Sequence, residues 1–166
     1  MDYARFPLFS SLDSEQVKGL LAAGREIAIE PGVTFIQEGA TGDSIFFVLE
    51  GMMTVYSENG GKERELASIQ APAVIGELEA FTGDPRSACV RARTHVKALE
   101  LPFDTLRSRL QSGDPAAFYV VFHTAQIIAR RLTAMNRKFI ELQQQPGSRH
   151  DELRAFQEKL FNDWSV

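Results

Sequence analysis

Thiol chemistry is almost absent from this chain of 166 residues, which holds one cysteine, Cys89. One cysteine excludes an internal disulfide and suits a reducing compartment. In an apolar, strand-like run it reads as a small buried hydrophobe rather than a nucleophile. Histidine is scarce too, and His95, His123 and His150 lack metal-ligand spacing. With no phosphate-binding Gly-rich loop and no Ser-His-Asp order, the chain is expected not to be an enzyme and to need no metal or cofactor. Basic excess is also missing. Lys and Arg number 18 against 22 Asp and Glu, a formal net charge of -4, so the Lys/Arg surface of a nucleic-acid binder is not indicated. No apolar run has the length of a membrane span, and Met1 to Arg5 lacks the flank and core of a signal peptide. These absences make a cytoplasmic protein, off the membrane, the expectation.

What is present is enough for one core, with 44% apolar residues and twelve Phe. Asp13 and Gln16 have capping-box spacing ahead of Val17, Leu20 and Leu21, which predicts a helix from about Asp13. Gly24 reads as its stop, at a position suited to positive φ. From Arg25 to Leu101 the texture is of short β-type runs between turns. They fall at Ile27/Ile29, Thr34 to Ile36, Ile45 to Leu49, Met52 to Tyr56, Arg64 to Ile69, Cys89 to Arg93 and Val96 to Leu101. Asn59-Gly60-Gly61 marks a hairpin. Such spacing predicts a jelly roll or barrel of about eight strands.

Past Pro102 the pattern turns helical. Phe103 to Gln111 makes a short helix, Ser112-Gly113-Asp114 breaks it, and Pro115 opens a long helix capped by Asp114 and running to about Gln145. Val121, Ala125, Ile128, Leu132, Met135, Phe139 and Leu142 alternate steps of four and three, the seam of a coiled coil. The seam predicts a homodimer through this helix. A second stripe, Phe118, Phe122 and Ala129, is left to pack on the roll. Residues 146–166 carry Leu153, Phe156, Leu160, Phe161 and Trp164 at helical spacing. They read as an amphipathic extension that docks on its own domain or dimer mate, or serves as a lid or partner helix. The expected organisation is residues 1–145 as one domain and 146–166 as its extension.

One segment carries chemistry: Gly76-Glu77-Leu78-Glu79-Ala80-Phe81-Thr82-Gly83-Asp84-Pro85-Arg86-Ser87-Ala88. Gly76 permits close backbone approach to a ligand, and a short helix after it presents unpaired N–H groups to an anion. Arg86 offers a planar two-pronged donor to phosphate, and Glu77 an acceptor for a sugar hydroxyl. Taken singly these are ordinary loop residues.

In order and spacing, Gly76-Glu77-Leu78 and Pro85-Arg86-Ser87-Ala88 resemble the phosphate-binding cassette of the cyclic nucleotide-binding domain family. Pro31-Gly32, Gly39, Gly42-Asp43-Ser44, Gly51 and the entrance Pro7 to Leu12 resemble its glycine-punctuated roll, and the likeness covers about residues 6 to 145. It implies an α+β fold. A double-stranded β-helix, or jelly roll, is flanked by an amino-terminal helix and by carboxy-terminal helices that include a long dimerisation-type one. It implies that Arg86 pairs with the cyclic phosphate and Glu77 takes the ribose 2′-OH, with Gly76, Leu78, Ser87 and Ala88 completing the cradle. Ala129-Arg130-Arg131-Leu132 resembles the bacterial catabolite-activator branch. In that branch a hydroxyl pair reads adenine, and here Met135-Asn136 stands in its place. Asn136 is then the candidate base reader. Arg131 is either a partner of Glu77 across the site or an ordinary exposed helix arginine.

A second departure is Glu79, where the family usually has a small residue. A carboxylate there opposes a phosphate unless it points to solvent or pairs with a cation. An unpaired buried Arg86 would be costly, so an empty site is expected to be wet or to hold another anion. The resemblance implies a stand-alone regulatory sensor. Its ligand is cyclic AMP first (cAMP), with cyclic GMP or another cyclic nucleotide as alternatives, and its output passes through the carboxy-terminal helices to a downstream protein. The residues after Pro146 are too few for the DNA-binding domain of a transcription regulator. The alternative is a roll that has lost its ligand and acts as a protein-interaction or structural module.

Overall fold

The computed structural model describes residue 9 and residues 12–59 and 61–143. Twelve elements follow in order. They are α1 (Ser14–Ala23), β1 (Arg25–Ile29), β2 (Thr34–Ile36), β3 (Ser44–Glu50), β4 (Met52–Asn59), β5 (Lys62–Gln70) and β6 (Ala73–Ile75). Then come α2 (Glu77–Thr82), β7 (Cys89–Ala92), β8 (Val96–Pro102), α3 (Phe103–Gln111) and α4 (Pro115–Gln143). The expected β-roll with flanking helices, including a long carboxy-terminal one, is what the chain forms. The extension, residues 146–166, lies outside the described residues.

The strands make two four-stranded antiparallel sheets, ordered β1-β8-β3-β6 and β2-β7-β4-β5. Consecutive strands fall in different sheets through much of the chain, so the roll closes by long-range pairing. Ile29, Ile36, Phe46, Val48, Met53, Ile75, Val90, Ala92, Val96 and Ala98 form the core between them. β3 is buried along Ser44 to Val48, so both of its faces are covered. That is why it reads as a continuous apolar run instead of an alternating one. Phe46 and Val48 face the core cluster; Phe47 meets Phe9 with ring centroids 6.1 Å apart.

Local signals act as read at several points. The capping box closes at both ends, the Gln16 amide donating to Asp13 Oδ1 at 2.8 Å and the Asp13 amide to Gln16 Oε1 at 3.0 Å. The β4–β5 hairpin pairs Asn59 with Lys62, as the Asn59-Gly60-Gly61 signal predicts. Gly24 does end α1, but not by positive φ, for its backbone is extended at φ -108° and ψ -179°. Glycine is needed there because a Cβ would stand 2.8 Å from the Glu100 carbonyl and from Leu99 Cδ1. β6 is a strand that the sequence reading passes over.

The chain divides into two compact units, residues 1–124 and 125–166, with the division inside α4. In the first unit α4 begins with Asp114 Oδ1 accepting the Ala116 amide at 2.9 Å. It buries Ala116, Ala117, Val120 and Thr124. The stripe expected to pack on the roll does not, since Phe118 is 67% and Phe122 50% exposed. Small side chains let a helix approach closely, and two phenylalanines at those positions would hold it away. Among the described residues no helix is long and apolar enough to cross a membrane.

Candidate functional site

The site is built from the turn after β6, the helix α2, and the loop that leads into β7. Gly76 turns the chain at φ 75°, in the left-handed region that favours glycine. It is required for a second reason: a Cβ at Gly76 would run into Arg86 Nη1. Gly42 presses on the same guanidinium from another direction, and a Cβ there would collide with Arg86 Nε and Cζ. The Arg86 backbone is fixed as well. Its amide donates to the Ala40 carbonyl at 2.9 Å, and its carbonyl accepts from the Gly39 amide at 2.8 Å.

Held this way, Arg86 points inward and is only 6% exposed. Nη2 donates to the Ser44 carbonyl at 2.6 Å, and Nη1 to the Gly76 carbonyl at 3.1 Å. The guanidinium carbon lies 5.9 Å from the Phe46 ring centroid and 5.8 Å from that of Phe103, within cation–π range. Nη1 also donates to Glu79 Oε2 at 2.9 Å. The other oxygen of that carboxylate, Oε1, accepts from the Ser87 amide at 3.1 Å and from Ser87 Oγ at 3.4 Å. Glu79 is itself buried. Two donors of the cassette, a guanidinium and the amide that follows it, therefore converge on one carboxylate of the same chain.

The expectation that buried Arg86 requires an anion or water is met by Glu79, which takes the second of the two courses expected of it. Its carboxylate neither points to solvent nor stands beside an empty seat; it pairs with the cation. Burial of each charge is tolerable because the other is within hydrogen-bonding distance and backbone groups complete the shells. Among the described residues no buried side-chain nitrogen or oxygen lacks a hydrogen-bond partner.

The other expected site residues divide between the two units. Gly76 and Glu77 are buried, and the Gly76 carbonyl touches Arg86; Ala88 is half-buried, and Leu78 and Ser87 are exposed. Arg131, exposed, and Asn136, half-buried, stand on the part of α4 that belongs to the second unit. Ser44 and Gly42 are site residues that the sequence reading names only as turn punctuation. Nothing in their spacing shows that β3 begins against Arg86. Beside α2 opens a cleft of about 430 Å³, lined among others by Gly42, Asp43, Glu79, Phe81, Phe103 and Arg107. Cys89 is buried, its sulfur accepting from the Glu38 amide at 3.2 Å, and His95 lies 3.6 Å from Glu30. His123 stacks near Tyr119 at 4.3 Å between centroids, and among the described residues no cluster could hold a metal ion.

An antiparallel roll with an arginine-centred anion seat after its sixth strand defines the class. The chain belongs to the cyclic nucleotide-binding domain family, whose model matches residues 26–113. It is 32% identical over 131 residues to Glutaminase 2 of Bradyrhizobium diazoefficiens, a match covering 79% of this chain and 20% of that protein. It is 35% identical over 98 residues to a cyclic nucleotide-gated potassium channel of Rhizobium etli, covering 59% of this chain and 26% of the channel. The chain thus spans a minor part of the length of these curated relatives.

Among solved structures, the catabolite activator protein of Thermus thermophilus superposes with a TM-score of 0.68 at 25% identity, over 82% of this chain and 62% of that one. The amino-terminal domain of a transcriptional regulator from Streptomyces coelicolor A3(2) gives 0.62 at 34% identity, over 83% and 95%. The regulatory domain of Toxoplasma gondii PKA, solved with cAMP, gives 0.55 at 29% identity, over 61% and 39%.

Proposed function

We propose that this chain is a regulatory sensor that binds a cyclic nucleotide, cyclic AMP first, in the cassette from Gly76 to Ala88. The observation that carries the reading is the convergence of Arg86 Nη1 and the Ser87 amide on a single carboxylate. Two donors so placed suit the exocyclic oxygens of a cyclic phosphodiester as well as they suit a carboxylate. Glu77, buried one residue after the Gly76 turn, takes the ribose 2′-OH in this reading. Binding then re-sets α2 and is passed along α4 to a second copy of the chain or to a downstream protein. Coupling of this kind is typically ~1–3 kcal/mol, sufficient to bias a partner.

Calorimetric titration with cyclic AMP and cyclic GMP tests the reading. The wild-type chain should bind one of them tighter than about 1 mM, which corresponds to ~4 kcal/mol, and Arg86→Ala should remove most of that affinity. Absence of binding to either nucleotide would overturn the sensor reading. One observation favours the alternative of a roll that acts as a protein-interaction module: the seat is already filled from within by Glu79. In that case the wild type binds neither nucleotide.

A further inference from the structure

We infer that Glu79 is an internal competitor for the ligand's phosphate, and so a specificity-determining residue of the cassette. The inference rests on the reading of the chain as a cyclic-nucleotide sensor. Glu79 Oε2 takes Arg86 Nη1 at 2.9 Å and Oε1 takes the Ser87 amide at 3.1 Å. A phosphodiester needs the same two donors. Both anions cannot use them together, because two negative charges in a buried site repel strongly and each donor has one proton to direct at the seat.

The competitor has two advantages. It is tethered seven residues from Arg86, so it presents itself at an effective concentration on the order of mM or above without any loss of translational freedom. The pair is also buried, with both side chains 6% exposed, which strengthens their attraction. The ligand must therefore expel Glu79 before it can use Arg86, and the apparent affinity is lowered by the fraction of time the seat is free. Glu79 lines the cleft beside α2, which offers the displaced carboxylate a way out of the seat. A weak, neutral fragment that lacks the phosphate has no quarrel with Glu79. The site thereby responds only to ligands whose sugar and base contacts help the phosphate to win.

The test compares wild type, Glu79→Gln and Glu79→Ala in calorimetric titrations with cyclic AMP, cyclic GMP and adenosine, after thermal melts confirm that each variant is folded. Glutamine keeps the shape and removes the charge, while alanine empties the seat. Each variant should bind its cyclic nucleotide at least about tenfold tighter than wild type, with adenosine affinity unchanged. Binding by a variant while the wild type binds neither nucleotide overturns the sensor reading and the inference with it, since Glu79 then closes the seat outright instead of competing for it. Equal affinity for the cyclic nucleotide in wild type and both variants overturns it and leaves the sensor reading intact. A parallel gain for adenosine also overturns it, since the effect is then not competition for the phosphate seat. If no cyclic nucleotide binds to any of the three proteins, the sensor reading itself falls and takes the inference with it.

Discussion

At Arg86 two stretches of backbone and one carboxylate meet around a single guanidinium, and the space is closed by two glycines. Gly42 and Gly76 lie on different sides of the cation, each at a distance that no Cβ tolerates. Their absence of side chain is part of the binding geometry. Gly42→Ala should push the guanidinium off the Ser44 and Gly76 carbonyls. The cost is ~1–3 kcal/mol, as for other overpacked sites, and the midpoint of urea denaturation should fall accordingly. An unchanged midpoint would mean that the guanidinium has room to move. At this scale the sequence is legible only in part. The order Gly76-Glu77-Leu78 and Pro85-Arg86-Ser87-Ala88 marks the cassette, yet nothing local says that Glu79 turns back to meet Arg86. That pairing depends on α2 being short enough for Gly83 to reverse the chain, its amide donating to the Glu79 carbonyl at 2.9 Å.

Elements repeat the lesson with different physics. The sheet β2-β7-β4-β5 is tied across by Arg91 of β7. It donates to Thr34 Oγ1 on β2 at 3.2 Å, to Tyr56 Oη on β4 at 2.9 Å and to Glu63 on β5 at 2.6 Å. Its hydrogen bond holds the Glu63 carboxyl below the usual carboxylate range. On α4 the alternation of apolar steps is legible, but which stripe docks on the roll is not. Thr124 is buried because its hydroxyl donates to the Val120 carbonyl at 2.8 Å, a satisfaction that hydropathy does not register. The seam through Val121, Ala125, Ile128, Leu132, Met135 and Phe139 is the ground for proposing a homodimer. Met135, at 63% exposure, is apolar surface of the kind a second copy would cover. Leu132→Glu should convert a sedimenting dimer to monomer, since it places charge in the middle of the seam. A dimer that persists would refute the assignment.

On the scale of the whole molecule, the roll was readable because its strands are separated by turns whose chemistry is unambiguous, as at Pro31-Gly32, Gly51 and Asn59-Gly60-Gly61. β6 escapes because three residues, Ala73 to Ile75, give no period to detect, and its pairing with β3 exists only in space. The chain carries a formal charge of -4, and in the seat the charge of Arg86 is cancelled by that of Glu79. An uncharged seat in an acidic molecule casts no attractive field, so a phosphate is not steered toward it from a distance. Capture then becomes a matter of collision and of how often Glu79 steps aside. Stopped-flow association of cyclic AMP should consequently accelerate little when salt is lowered, whereas Glu79→Gln, which leaves the Arg86 charge uncompensated, should make the rate climb more steeply. A wild-type rate that climbs as steeply would contradict this. On the proposed sensor reading, such an arrangement gives up speed of capture and gains quiet: passing anions, however abundant, find nothing to pull them in.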